Sequence, residues 1–295
     1  GKSTISKKIV DILLKKKIKF AVIRHPMIYV DFEKINVVKL KNVEDLDKLG
    51  LTIEEKEEFE HYLSKGIVCF EGIDYKKVLE EAEKEANILI WDGGNNDFPF
   101  IKPDLLIVAV DPHRVGHEKS YPGEINVRMA DIIIITKVNT VEKEKVEKTI
   151  ENVRKLNNRA EIIEAEFIIE VDDPKKIENK IVAVVEDGPT ITHGHLKYGA
   201  GYIAALQYKA KEIIDARMYA EGIYKEIYEM YPHIEKVIPT IGYSSEQIQS
   251  LEDLIKKIPC ETVILGTQSF LPRYLKIDKD IVQVRYYLKE RKGRK

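Results

Sequence analysis

Short apolar runs alternate with amphipathic stretches along nearly the whole chain. TISKKIVDILLKKK (4–17) sets Ile5, Ile9, Ile12 and Leu13 at helical spacing with lysines opposite, and predicts a helix. KFAVIRHP (19–26) reads as a short strand. TIEEKEEFEHYLSKG (52–66) and DYKKVLEEAEKEA (74–86) read as helices, the second leading into a strand, NILIWDGG (87–94). Next come a strand DLLIVAVDP (104–112), a polar loop HRVGHEKSYPGEIN (113–126) and a strand ADIIIITKVN (130–139). The helix VEKEKVEKTIENVRKLN (141–157) then carries Val146, Ile150, Val153 and Leu156 on one face.

The same rhythm resumes at KIVAVVEDG (180–188). Helical YGAGYIAALQYKA, YAEGIYKEIYEMYP and SEQIQSLEDLIKKI alternate from there with strand-like KEIID, ETVILGT and IVQVRYYL. Strands separated by helices predict an α/β fold, a mainly parallel sheet flanked by helices. The runs ILIW, LLIVAV and IIIIT are continuous, as expected of central strands covered on both faces. No linker rich in Gly, Pro or Ser divides the chain, and the charged VDDPKKIENK (171–180) is the candidate boundary. The expected organisation is a nucleotide-binding region over 1–178 and a C-terminal α/β region over 179–295 that extends the same sheet or packs on it.

Composition narrows the function classes. The 295 residues are 44% hydrophobic and 33% charged, which describes a soluble globular protein long enough for one large or two ordinary domains. Lys+Arg 48 against Asp+Glu 50 leaves a net charge of -2, so no global charge favours nucleic acid, and the basic LKERKGRK reads as a solvated tail. No run approaches the roughly 18 apolar residues that span a bilayer. Cys69 and Cys260 each lie inside an apolar run far from the other, which suits reduced, buried thiols of a cytoplasmic protein. High Lys, Glu and Ile with few Gln and Met resemble a thermophile's composition.

Candidate chemistry begins at the first residues. Gly1-Lys2-Ser3-Thr4 match the end of the phosphate-binding P-loop, G-x-x-x-x-G-K-[ST], of which the earlier positions are expected upstream of Gly1. In that loop the Lys neutralises β/γ-phosphate charge and the Ser/Thr hydroxyl ligates Mg²⁺; the plainer alternative is a Ser at a helix start. Asp92 ends an apolar strand and precedes Gly93-Gly94, the position of the acid that holds Mg²⁺, although an acid there can simply cap a turn. Thr136-Lys137-Val138-Asn139 looks like the base-reading N-K-x-D strand with Asn in place of Asp. The Lys stem can cover a purine, while an amide oxygen accepts less than a carboxylate, which puts guanine selectivity in doubt and favours ATP.

The blocks IRHPM, DGGNNDFPF, the loop from VDPHRVGHE to RMAD, EDGPTITHGHLKYGAGYIAA and IVQVRYYL together resemble the archaeal cyclic 2,3-diphosphoglycerate synthetase family, some of whose members are labelled predicted GTPases. The similarity runs along essentially the whole chain. It implies a P-loop ligase that uses ATP and Mg²⁺ to close an intramolecular phosphoanhydride in 2,3-bisphosphoglycerate, releasing ADP and phosphate. A small anionic phosphorylated substrate needs cations near the strand ends. Arg24, His25, His113, Arg114, His117, Lys119, Arg128 and Lys197 are the candidates, with His193 and His195 as catalytic residues beside Lys2, Asp92 and Arg114. Either His193 or His195 as a phosphohistidine carrier is a variant.

Alternatives stay open. The pairs His113/His117 and His193/His195 also fit a metal, though the surplus of cations favours phosphate. Glu186 and Asp187 fit either a second Mg²⁺ or a turn, the glycines of YGAG an anion seat, and Tyr219, Tyr224, Tyr228 and Tyr231 a core. A regulatory GTPase, or a metallochaperone-like switch acting on a protein partner, is the competing class. No nucleic-acid or membrane partner is expected, and homo-oligomerisation is left open.

Overall fold

A computed structural model describes residues 1–25, 35–49, 51, 53–94, 98–192, 196–267 and 271–291. The chain divides into two compact units, one of Gly1–Leu51, Glu58–Ile168 and Tyr287–Lys295, the other of Thr52–Glu57 and Ile169–Tyr286.

The first unit runs α1 (Lys2–Lys15), β1 (Phe20–Arg24), β2 (Val38–Leu40), α2 (Glu44–Lys48), α3 (Ile53–Leu63, of which the residues before Glu58 count with the second unit), β3 (Cys69–Glu71), α4 (Tyr75–Glu85) and β4 (Ile88–Asp92). It continues through β5 (Ile107–Val110), α5 (Gly123–Met129), β6 (Ile132–Ile135), α6 (Lys143–Leu156) and β7 (Glu161–Val171), of which the last three residues count with the second unit. The order β2-β3-β1-β4 forms one sheet, antiparallel only at β2. β5, β6 and β7 pair in parallel.

Alternation along β1 shows how the sheet is covered. Phe20 and Val22 enter a core with Val10 of α1 and with Phe59, Tyr62 and Leu63 of α3, while Ala21 and Ile23 enter another with Val78 and Ala82 of α4. Val127 of α5 and Val146 and Val153 of α6 pack against Val110, Ile133 and Ile135.

Four readings of the pattern change. The strands of ILIW and LLIVAV are edge strands and not central ones: β4 and β5 each pair on one side only among the described residues, and Ile88 stays 38% exposed. β4 is nonetheless covered on both faces, Ile90 packing on the core that holds Val10 and Leu89 and Trp91 on the one that holds Val78. In α1 the buried face is Thr4, Ile5, Ser6 and Val10, whereas Ile12 is exposed, because the first turn packs on strand ends. The loop 113–126 holds two short 3-10 turns and the start of α5. Three strands are not among those the pattern predicts: β2 is only three residues long, β7 is interrupted by Glu164, Glu166 and Glu170, and β3 lies in the short apolar run IVCF (67–70).

The second unit holds β8 (Ile181–Glu186), α7 (Gly188–Ile191), α8 (Ala200–Gln207), β9 (Glu212–Ile213), α9 (Gly222–Met230) and β10 (Ile238–Pro239). α10 (Ser245–Lys257), β11 (Thr262–Leu265), α11 (Leu271–Tyr274) and β12 (Asp280–Glu290, of which the residues from Tyr287 count with the first unit) follow. Its strands lie in the order β10-β8-β11-β12, with β9 also beside β8, all parallel. Ser244 and Gln247 form a reciprocal cap that starts α10. Tyr224 and Tyr228 are buried in the core here, with Tyr219 and Tyr231 packed against it, as the sequence suggested. The thiols of Cys69 and Cys260 are free and buried, and burial pushes both up. Among the described residues no helix is long and apolar enough to cross a membrane.

Candidate functional site

In the first unit the start of α1 meets the end of β4. Asp92 is opposite Arg24 in the parallel register of β1 and β4 and is 3% exposed. Its Oδ1 accepts from Lys2 Nζ at 3.0 Å and from Ser6 Oγ at 3.0 Å. Its Oδ2 accepts from Tyr62 OH at 2.6 Å and from the Arg24 guanidinium, which also pairs with Glu58. Lys2 and Ser6 reach the same oxygen because they are four residues apart on a helix and share a face. Burial pushes the Asp92 carboxyl up, but Arg24, Lys2 and the Tyr62 hydrogen bond outweigh it and hold the group below the usual carboxylate range. Burial and Asp92 raise the Tyr62 phenol, so it remains a donor.

Gly1 lies at the ends of β5 and β6, where an added Cβ would stand 3.4 Å from the Thr136 side chain. Of the two hydroxyls adjoining Lys2 in sequence, Ser3 is exposed and Thr4 is buried. The hydroxyl bonded to Asp92 is therefore that of Ser6, and sequence reading missed both Ser6 and Tyr62. The spacing from Lys2 could have flagged Ser6; nothing local marks Tyr62.

A second acid, Asp111, follows β5 and was not singled out. Lys137 Nζ pairs with its Oδ2 at 2.6 Å, and the His113 amide donates to its Oδ1 at 3.1 Å. Burial works against the charge on Asp111, and Lys137 with His113 overcomes it, holding the carboxyl low. His113 Nε2 lies 2.9 Å from Thr140 Oγ1, and burial lowers the imidazole's proton affinity. Lys137 has a left-handed backbone (φ 56°) and its ammonium stands 5.9 Å from the centre of the Phe167 ring. Asn139 is committed to the backbone: its Nδ2 donates to Phe167 O at 2.8 Å and its Oδ1 accepts from Phe167 N at 2.9 Å. The buried Arg114 Nε has no hydrogen-bond partner among the described residues.

The remaining cations are dispersed. His25 Nδ1 lies 3.3 Å from Tyr75 OH. His117 and Lys119 are exposed, and Arg128 is exposed on α5 with Glu124 as its partner at 2.8 Å. In the second unit Lys197 pairs with Glu235 at 2.8 Å. His193 and His195 lie outside the described residues.

The YGAG glycines do form an anion seat, and the chain's own Glu186 carboxylate fills it. Oε1 accepts from the Gly199 and Tyr202 amides at 3.0 and 2.8 Å, and Oε2 from Gly201 at 3.2 Å. A Cβ on Gly266 would come within 2.0 Å of Oε2, which only glycine avoids. Burial raises the Glu186 carboxyl to about 7 against the pull of those three amides. Asp187 caps α7, accepting from Thr190 N at 3.2 Å, so both acids serve the backbone.

Asp92 is a single hard carboxylate beside a helix start that bears a lysine and hydroxyls. Among the described residues no three His, Cys, Asp or Glu side chains gather to hold a metal alone. Such a donor set suits Mg²⁺, which takes one or two carboxylates and completes its shell with water and phosphate oxygens.

Comparison with known proteins bears on the same region. Residues 66–166 match the family model described as cyclic 2,3-diphosphoglycerate synthetase, P-loop domain. The chain is 50% identical over 291 residues to a Thermococcus kodakarensis protein named arginine synthetase ArcE, covering 98% of this chain and 65% of that protein. It is 38% identical over 100 residues to a cyclic 2,3-diphosphoglycerate synthetase of Thermococcus sibiricus, covering 33% of this chain and 23% of the relative. A Pyrococcus furiosus protein of the same name is 26% identical over 99 residues, 33% of this chain and 22% of that protein. The chain thus spans just under two thirds of the first relative and less than a quarter of the other two.

Proposed function

Since residues 66–166 belong to the P-loop domain of the cyclic 2,3-diphosphoglycerate synthetase family, we propose that this chain is the phosphoryl-transfer part of an ATP-dependent synthetase. ATP, when bound with Mg²⁺, supplies a phosphoryl group that turns a poor leaving oxygen of the substrate into phosphate. Lys2, paired with Asp92 here, would neutralise phosphate charge, and Asp92, with the Ser3 hydroxyl nearby in sequence, would hold the metal. Gly1 and Thr4 would frame the start of α1, the Lys137 stem would border the base, and the buried Arg114 Nε would offer a donor that has no hydrogen-bond partner among the described residues. Catalysis is then mainly positioning and charge neutralisation. The observation that carries this reading is the 3.0 Å contact of Lys2 with Asp92 at the end of a parallel strand.

For the product we favour arginine. The identity to the arginine synthetase extends over 98% of this chain, whereas similarity to the phosphoglycerate enzymes covers 33%. The cations expected for a doubly phosphorylated substrate are also partly engaged: Arg24, Arg128 and Lys197 each hold a carboxylate. Closure of the phosphoanhydride ring of 2,3-bisphosphoglycerate is the second reading, favoured by the family match over 66–166.

The test is incubation of the full-length protein with Mg·ATP and either a ureido amino-acid precursor plus ammonium or 2,3-bisphosphoglycerate. Phosphorus NMR and amino-acid analysis identify the product. Arginine with phosphate supports the first reading and cyclic product the second; nucleotide hydrolysis indifferent to both substrates rejects the synthetase. Asp92→Asn should abolish Mg·ATP turnover, and near-normal turnover would discard the proposed role of Asp92.

A further inference from the structure

Among the described residues four donors converge on Asp92, and they differ in kind. Lys2 and Arg24 are cations that a bound triphosphate would attract. Ser6 and Tyr62 are neutral, 7% and 2% exposed, and offer nothing comparable to a phosphate. They also divide the carboxylate evenly: Ser6 Oγ takes Oδ1 at 3.0 Å and Tyr62 OH takes Oδ2 at 2.6 Å. We propose that Ser6 and Tyr62 are the positioning residues of Asp92, each holding one oxygen so that the carboxylate stays aimed while Lys2 and Arg24 exchange partners. This rests on reading Asp92 as the acid that holds the metal.

Physical chemistry favours that division of labour. A buried carboxylate oriented only by cations would lose its orientation when the nucleotide drew them away, and would then meet the metal with a variable geometry. Two hydroxyls anchored in separate elements, α1 and α3, supply orientation without competing charge. The Tyr62 ring could fill its core position as phenylalanine; only the hydroxyl requires an acceptor there.

Tyr62→Phe and Ser6→Ala in the full-length protein test the inference, with unfolding midpoints measured in the absence of metal. The readouts are the Mg²⁺ concentration giving half-maximal turnover, and Mn²⁺ binding followed by electron paramagnetic resonance with a non-hydrolysable ATP analogue. Loss of a group that orients a metal ligand typically weakens metal affinity on the order of tenfold. Each variant should therefore show roughly a tenfold rise in both readouts, while kcat at saturating Mg²⁺ changes little. If the two variants lose stability yet bind Mn²⁺ as wild type does, while Asp92→Asn loses binding, the positioning role is overturned and the ATP reading stands. If Asp92→Asn also binds Mn²⁺ normally, the reading of Asp92 itself fails and this inference with it. Should Tyr62→Phe fail to fold, Ser6→Ala decides alone on the same two readouts.

Discussion

Glu186 and Asp92 are both buried acids at strand ends, yet their surroundings drive them in opposite directions. Asp92 is met by two cations and two hydroxyls and stays ionised, whereas Glu186 accepts from three backbone amides and burial lifts it to about 7. The sign of the pH dependence follows. A carboxyl whose folded value lies above its unfolded one holds its proton longer in the native state, so the native state binds more protons between about 4.5 and about 7. Stability should fall as pH rises through that window and level off above it. Glu186→Gln removes the titration, and denaturant unfolding at pH 5, 6 and 7 should show the slope in wild type and its loss in the variant. An unchanged slope in the variant would assign the titration to another group.

At the scale of elements, legibility followed pattern strength. α4, α6 and α10 were readable because an apolar stripe recurs every three or four residues, and β6 because IIII has no polar interruption. α5 was hidden by the Pro122-Gly123 pair at its start, which locally signals a turn. β7 was hidden by its glutamates, since a strand with exposed positions needs no continuous apolar run. Two substitutions probe these elements. Ile133→Ala, at a fully buried position of β6, should cost about 2–5 kcal/mol through lost burial and an unfilled cavity. Ser244→Ala removes the side-chain half of the α10 cap and should cost about 1 kcal/mol. Chemical denaturation measures both, and equal losses would contradict the separate origins assigned to them.

At the scale of the whole molecule, parallel pairing carries the candidate chemistry to one kind of place, the carboxyl ends of strands, where Asp92, Asp111 and Glu186 all stand. A ligand that binds only the folded state stabilises it by mass action, about 2.7 kcal/mol at a hundredfold excess over Kd. Mg·ATP should therefore raise the unfolding midpoint of the full-length protein, and Asp92→Asn should erase the shift; an undiminished shift in the variant would overturn the placement of the nucleotide at Asp92. Asn139, held by the Phe167 backbone through both side-chain atoms, leaves the choice between ATP and GTP to other groups. The sequence by itself determined the α/β class, the alternation of elements and the acid closing the ILIW strand, because periodicity and strand-end position are local properties. Only the tertiary structure decided which groups meet. Lys2, Ser6 and Tyr62 lie 90, 86 and 30 residues from Asp92 along the chain, and no local spacing encodes such distances. Packing likewise decided that the YGAG seat receives the chain's own Glu186, since a row of backbone amides selects for negative charge without specifying its source.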